Sequence, residues 1–170
     1  MLFRSKIYPN SNYYLFEANN YVELTKLNKK NNVNLFDNTL LNNKLEEVKF
    51  YKLNSSGDTI FKENTSIFKN VQPIIKNSVT LDHIIKINNI KLNNIFMKID
   101  CQGSEINILK GSKSIYNRID FILLEMPMFG EYNKNVPNFE EHIIFMDKIG
   151  FVPFENIDNH YIPNSNINLQ

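Results

Sequence analysis

The sequence contains a single cysteine, Cys101, in 170 residues. One cysteine excludes an internal disulfide framework and a cysteine-rich zinc site, and it is typical of a reducing compartment. No apolar run approaches the roughly 20 residues that a membrane helix needs. The first residues, MLFRSKIYPNSN, contain no apolar core of the kind found in signal peptides. These absences predict a cytoplasmic protein without a membrane segment.

An excess of charge of one sign is also missing. The 19 Lys and Arg residues balance 18 Asp and Glu residues and leave a net charge of +1. This balance gives no electrostatic case for nucleic acid or an anionic membrane as a partner. A hydrophobic content of 42% and a charged content of 22% are ordinary for a globular protein. The length predicts a single domain, residues 1–170, that is large enough to bury a core.

Short apolar runs alternate with segments of helical spacing. The predicted strands are YYLFEAN, VNLFDNTLL, EVKFYKL, NIFMKID, IDFILLEM and FVPFE. The predicted helices are NYVELTKLNKKNN, SVTLDHIIKIN, SEINILKG and NFEEHIIFMDKIG. The stretch from Asn54 to Asn77 is predicted to be a loop or excursion. The alternation predicts an α/β fold with a mainly parallel sheet, in which IDFILLEM is covered on both faces.

The predicted strands YYLFEAN, NIFMKID and IDFILLEM each carry an acid at or near the carboxyl end, namely Glu17, Asp100 and Glu125. In an open α/β sheet, ligands bind outside the carboxyl ends of the strands. Carboxylates at that place can accept hydrogen bonds from ligand hydroxyl or ammonium groups, or accept a proton during a reaction. An acid after an early strand suits a ribose. We therefore expect these three strand ends to lie side by side.

The segment FMKIDCQGSEINILKG places two acids around one strand end. Gly103 permits a tight turn after Asp100, and Glu105 falls in the first turn of the next helix, where a negative charge is stabilised. Structural readings remain open for each acid. Asp100 could cap the helix, Glu105 could be a helix-start residue, Glu17 could mark a strand end, and Glu125 could be a solvated loop acid.

Several short motifs between residues 79 and 126 occur in a characteristic order and spacing. They are Thr80-Leu81-Asp82, Lys98-Ile99-Asp100, Gly103 with Glu105, Leu109-Lys110-Gly111, and Glu125. In this order they resemble the C-terminal half of the FkbM-type methyltransferases, and the resemblance covers most of residues 13–155. It implies a Rossmann-like class I fold that binds S-adenosylmethionine and methylates a hydroxyl of a sugar or small natural product.

The resemblance also implies which residues bind the cofactor. Glu17 would hold the ribose, although the family usually follows this acid with proline and the chain has Ala18. Asn42 or Asn43 would contact the adenine. Asp100 and Glu105 would line the crevice after the fourth strand. No metal site is predicted.

The catalytic assignment follows from the same resemblance. Asp100 would take the proton of the acceptor hydroxyl, while Glu105 and Glu125 would orient the acceptor or serve as alternative bases. Cys101 is predicted to be a small buried hydrophobe. Three histidines are less persuasive as bases: His83 and His142, predicted to be surface or packed residues, and His160, in a loop.

The acceptor itself is expected to be a small molecule or a glycan. The segment MPMFGEYNKNVPNFE lies between a predicted strand end and a predicted helix, where acceptor contacts would be expected. Four of its side chains could line a partly apolar pocket, and a structural lid is the alternative. They are Met126, Met128, Phe129 and Tyr132.

The sequence departs from the family pattern at both ends. A first strand and a glycine-rich cofactor loop are expected upstream of YYLFEAN, but the 5 glycines form no G-x-G-x-x-G pattern. The final strand does not appear after NSNINLQ. We therefore expect a truncated domain that binds the cofactor weakly or not at all and is an enzyme if the cofactor site is completed. Two alternatives stay open. The first is a catalytically inactive fragment, either a pseudogene product or a binding module that contacts a partner, or a second copy of itself, through an uncovered sheet edge. The second is another nucleotide-binding α/β enzyme.

Overall fold

A computed structural model of the chain describes residues 8–26, 32–53, 57–64, 66–128 and 133–158. Its contacts divide the chain into two compact units, Met1–Leu41 and Asn42–Gln170, and each unit is described by itself. The single domain stays a prediction. No helix within the described ranges is long and apolar enough to cross a membrane.

The first unit is built around a pair of parallel strands. Register places Tyr13 opposite Val33, and the rings of Phe16 and Phe36 at the other end of the pair stack with centroids 4.8 Å apart. The predicted strand VNLFDNTLL is interrupted at Asn38, whose φ of 50° lies in the left-handed region. The elements of this unit are β1 (Tyr13–Phe16), α1 (Val22–Thr25), β2 (Val33–Phe36) and β3 (Leu40–Leu41).

The second unit alternates strands and helices. Strands β4 and β5 pair antiparallel, and strands β6 and β7 pair parallel. Together with the parallel pair in the first unit, this arrangement confirms a mixed α/β fold with mostly parallel sheets. The elements are β4 (Glu46–Phe50), a 3-10 helix (Ser66–Asn70), β5 (Ile74–Val79), α2 (Leu81–Ile87), β6 (Ile95–Ile99), α3 (Glu105–Lys110), a 3-10 helix (Lys113–Arg118), β7 (Ile119–Leu124) and α4 (Phe139–Lys148).

Two sequence predictions of secondary structure are wrong. The predicted loop 54–77 contains the start of β5, because Ile74 pairs with Phe50 and Ser78 pairs with Glu46 across the antiparallel ladder. The run IIKNSV has no clear alternation, so its strand conformation depends on pairing with β4 rather than on its own pattern. The predicted strand FVPFE has no regular secondary structure in residues 151–158.

A backbone hydrogen bond joins the start of α2 to the end of α3. The Thr80 side chain caps α2 by accepting a hydrogen bond from the backbone N–H of His83 at 3.1 Å. Gly111 ends α3, and its carbonyl accepts from the backbone N–H of Asp82 at 2.9 Å. A Cβ at Gly111 would lie 2.3 Å from the carbonyl oxygen of Asn42. Thr80 is the kind of residue that caps a helix start and Gly111 the kind that ends one, and the close approach of backbone explains the glycine.

One face of the β6–β7 pair remains exposed. Phe96 and Phe121 are cross-strand neighbours with exposures of 57% and 58%, and the Phe121 ring meets Phe154 edge to face. The expectation that β7 is covered on both faces is therefore wrong at Phe121, because an apolar run alone does not show which of its faces is covered. Self-association through a sheet edge stays a prediction. The buried apolar residues of the second unit include Phe50, Phe68, Leu81, Ile84, Ile99, Ile106, Ile108, Leu109, Ile115 and Ile119.

Candidate active site at the ends of two parallel strands

Two of the predicted acids leave adjacent strands at the same edge. Ile99 at the end of β6 lies opposite Leu124 at the end of β7, and the backbone N–H of Glu125 donates to the Ile99 carbonyl at 3.3 Å. Asp100 and Glu125 therefore lie side by side, as the sequence predicts. Glu17 belongs to the first unit, and its place beside them stays a prediction.

The carboxyl groups of Asp100 and Glu125 are hydrogen-bonded to each other. Burial raises the pKa of Glu125 to about 8, and the hydrogen bond to Asp100 and the charges of Asp100 and Glu105 act in the same direction. Lys98 opposes this pKa shift and forms an ion pair with Asp100. Two adjacent carboxyls resist simultaneous ionisation. At neutral pH the pair therefore holds one proton, with Glu125 as its carrier.

Glu105 supports the turn that follows Asp100. Its side chain is 1% exposed, and Oε1 accepts hydrogen bonds from the backbone N–H groups of Cys101 at 2.9 Å and Gly103 at 3.3 Å. The pKa of Glu105 is raised, because the effect of burial outweighs that of these hydrogen bonds, which lower it. Because the buried carboxyl accepts hydrogen bonds from two backbone N–H groups of the turn, it stabilises the conformation of the turn.

Asp100 does not occupy the capping position of α3. The residue at that position is Ser104, and its side chain makes no capping hydrogen bond. Asp100 instead faces solvent and contacts Lys98 and Glu125. The reading of Asp100 as a helix cap therefore has no support in this geometry.

Gly103 allows the turn to pass close to another segment. Its φ is +102°, and a Cβ at this position would lie 2.5 Å from Cγ2 of Val136. Both its conformation and this close approach require glycine. The predicted tight turn is confirmed, although Val136 as its neighbour has no signal in the sequence.

Gln102 connects the turn to Glu125 and to two distant segments. Its carbonyl accepts hydrogen bonds from Thr59 Oγ1 at 3.0 Å and Asn133 Nδ2 at 2.7 Å, and its side-chain Nε2 donates to Glu125 Oε2 at 3.2 Å. Thr59 and Asn133 are 2% and 4% exposed. Sequence reasoning missed these three residues, because Thr59 and Asn133 lie far from Gln102 along the chain and match no motif.

His142 is fully buried near this turn. Its Nδ1 lies 2.8 Å from the carbonyl oxygen of Asn138. Because a carbonyl only accepts, Nδ1 carries the hydrogen of this contact. Within the described part of the chain, neither His142 Nε2 nor Glu105 Oε2 has a hydrogen-bond partner. His142 is a packed residue, as predicted. His83 is half-buried, and His160 lies outside the described residues.

The predicted cofactor residues differ in exposure. Glu17 is half-buried, and its Oε1 accepts from the backbone N–H of Asn19 at 2.8 Å. Asn42 is 3% exposed and its Nδ2 lies 3.5 Å from Ser78 Oγ, whereas Asn43 is exposed. Of the two asparagines, Asn43 is therefore the one whose side chain is open to a ligand.

The predicted acceptor segment is only partly described. Met126 and Met128 are half-buried, and Cys101 beside Asp100 is also half-buried. Phe129 and Tyr132 lie outside the described residues, so the predicted pocket stays a prediction.

Comparison with known families assigns the class of protein. The model of the methyltransferase FkbM domain matches residues 4–153. The chain therefore belongs to the FkbM methyltransferase family. Searches of the curated proteins and of the solved structures found no match.

Proposed function

We propose that the chain has a Rossmann-like class I fold and methylates a hydroxyl oxygen of a sugar or small natural product, with S-adenosylmethionine as the methyl donor. The family match and the adjacent carboxyls of Asp100 and Glu125 support this proposal. The pair lies at the carboxyl ends of parallel strands, where ligands of open α/β sheets bind.

The carboxyl pair suits the proton transfer that O-methylation needs. When bound, S-adenosylmethionine supplies an electrophilic methyl group on a sulfonium sulfur. Asp100 is the exposed carboxylate of the pair, and it accepts the hydroxyl proton as the oxygen forms its bond to the methyl carbon and the carbon–sulfur bond breaks. Glu125 donates a hydrogen bond to Asp100 and orients it. Glu105 holds the turn that carries Asp100.

The resemblance to the family assigns cofactor contacts to residues that can each be assessed within its own unit. Glu17 retains carboxylate lone pairs beyond the hydrogen bond from Asn19 and can accept from a ribose hydroxyl. The exposed Asn43 can contact adenine, whereas the buried Asn42 contacts the side chains of Glu46 and Ser78. Asp100 would line the crevice at the end of β6.

Titration with S-adenosylhomocysteine tests the cofactor site. We expect millimolar ligand to shift backbone NMR signals near Glu17 and Asn43 in the full chain. Glu17→Gln should weaken binding by roughly tenfold, because it removes a charged hydrogen-bond acceptor. Glu23→Gln, which changes an exposed acid on α1, is the matched control and should bind like the wild type.

A transfer assay tests the reaction. The chain is incubated with methyl-labelled S-adenosylmethionine and a panel of methyl glycosides, and label in the sugar is measured. Transfer to a hydroxyl would support the proposal. If neither ligand-dependent NMR shifts nor transfer were seen at millimolar concentration, the alternative of an inactive binding module would replace it.

A further inference from the structure

Gln102 has an unusual backbone conformation for its residue type. Its φ is +51°, in the left-handed region that costs most non-glycine residues free energy. Asparagine tolerates this region better, since its short side chain bonds locally. Within the described ranges, the other non-glycine residues with positive φ are all asparagines: Asn38, Asn89, Asn94 and Asn135. Position 102 is therefore the exception in a chain that otherwise uses asparagine for this conformation.

The surrounding structure fixes the conformation of Gln102. Its carbonyl accepts from the buried side chains of Thr59 at 3.0 Å and Asn133 at 2.7 Å. The next residue, Gly103, packs against Val136 with no room for a Cβ. Contacts of this kind can hold a residue in an unfavourable conformation, and such residues occur at functional sites. These contacts use the backbone of Gln102, so they do not explain why the side chain is glutamine.

The side chain of Gln102 reaches the carboxyl pair. Its Nε2 donates to Glu125 Oε2 at 3.2 Å. Asparagine is shorter by one methylene group and would fall short of that oxygen. We propose that Gln102 is a positioning residue for methyl transfer, and that its side-chain amide holds the Glu125 carboxyl against Asp100. The catalytic part of this inference rests on the proposed function.

The hydrogen bond also orients the carboxyl of Glu125. The Gln102 amide N–H donates to Oε2, and this contact limits rotation of the carboxyl group whichever oxygen carries the proton. Glu125 can then donate to Asp100 and keep its carboxylate in one orientation. The other charged groups acting on Glu125 are Glu105 and Lys98, and neither provides this directional contact.

Three substitutions distinguish the contribution of the Gln102 side chain from that of its backbone conformation. Gln102→Asn and Gln102→Gly suit the left-handed conformation better but do not reach Glu125, whereas Gln102→Met keeps the length without the donor. The Glu125 ¹³Cδ signal, assigned by its loss in Glu125→Gln, is titrated in the full chain of each variant. Contact with Asp100 raises the pKa of Glu125, and a carboxyl that is no longer held against Asp100 loses part of this effect, so we expect the pKa of Glu125 to fall below its wild-type value in all three variants.

Thermal unfolding supplies the second measurement. We expect the midpoints of Gln102→Asn and Gln102→Gly to equal or exceed that of the wild type, since relief of an unfavourable φ stabilises the fold. The methyl-transfer rate should nevertheless fall by about tenfold in all three variants, as expected for one lost polar contact. This combination identifies a residue retained for the site at the expense of stability.

The outcomes that overturn the inference are distinct from those that overturn the proposed function. If Glu125 titrates in Gln102→Met as in the wild type, or if Gln102→Asn and Gln102→Gly unfold at lower temperature, Gln102 does not have this role. If the titration changes as expected but the chain transfers no methyl group to any acceptor, the contact between Gln102 and Glu125 stands, and the proposed function and the catalytic part of the inference fail.

Discussion

Asp100 follows β6 and Glu125 follows the parallel neighbour β7, and the two side chains are hydrogen-bonded at the edge where both strands end. This relationship depends on register, because Ile99 and Leu124 lie opposite each other. A shift of one residue would turn one carboxyl to the other face of the sheet. The pairing of β6 with β7 therefore creates the carboxyl pair that the proposed reaction uses.

The raised pKa of Glu125 predicts how stability depends on pH. Its folded pKa of about 8 lies above the ordinary value of 4.5, so the native state binds more protons than the unfolded state between these values. The contribution is therefore fully present below about pH 4.5 and is lost as pH rises through about 8. Because Glu125 is half-buried, solvent screening should limit the loss to about 1–2 kcal/mol.

Urea unfolding of wild type and Glu125→Gln at pH 5, 7 and 9 measures this effect. The free energy of unfolding of the wild type should fall more steeply with pH than that of the variant, which keeps the other titrating groups. Parallel pH dependences in the two proteins would show that the folded state does not raise the pKa of Glu125.

Glu105 should matter for stability through its hydrogen bonds to the turn. Glu105→Ala leaves the buried backbone N–H groups of Cys101 and Gly103 without this acceptor and opens a cavity, so we expect a loss of roughly 2–4 kcal/mol. Glu105→Gln keeps an accepting oxygen and should cost under about 1.5 kcal/mol. Chemical denaturation compares the two variants. Equal losses would mean that charge, and not hydrogen bonding to the turn, is the contribution of Glu105.

Gly103 and Gly150 form a matched pair of glycines. Both have positive φ, but a Cβ would meet Val136 at Gly103 and nothing within 4 Å at Gly150. We expect Gly150→Ala to cost about 1–2 kcal/mol from the conformation alone. Gly103→Ala should cost about 2–4 kcal/mol, because a clash adds to the same conformational term. Combining it with Val136→Ala should recover part of the difference, and no recovery would exclude the contact as the cause.

The sequence predicted the features of the site that depend on local pattern. The strand ends at Asp100 and Glu125, the turn at Gly103 and the cap at Thr80 each follow from neighbouring residues, and the structure has them. Strand β5 was missed because it depends on β4 for its conformation. Thr59, Gln102 and Asn133 were missed because their contacts are formed by chain segments far apart in sequence. Likewise, nothing local indicated that Glu105 would be buried while Asp100 remained exposed.

The most direct test of the central claim compares methyl transfer by the wild type, Asp100→Asn and Glu125→Gln under matched conditions. The measured quantity is kcat/KM with a hydroxyl acceptor identified from the methyl glycoside panel, and circular dichroism checks that each variant folds. Asp100→Asn removes the base and should lower the rate by roughly 10²–10⁴-fold. Glu125→Gln keeps a hydrogen-bond donor beside Asp100 and should retain most of the rate. A folded Asp100→Asn variant with near-wild-type transfer would contradict the assignment of Asp100 as the proton acceptor.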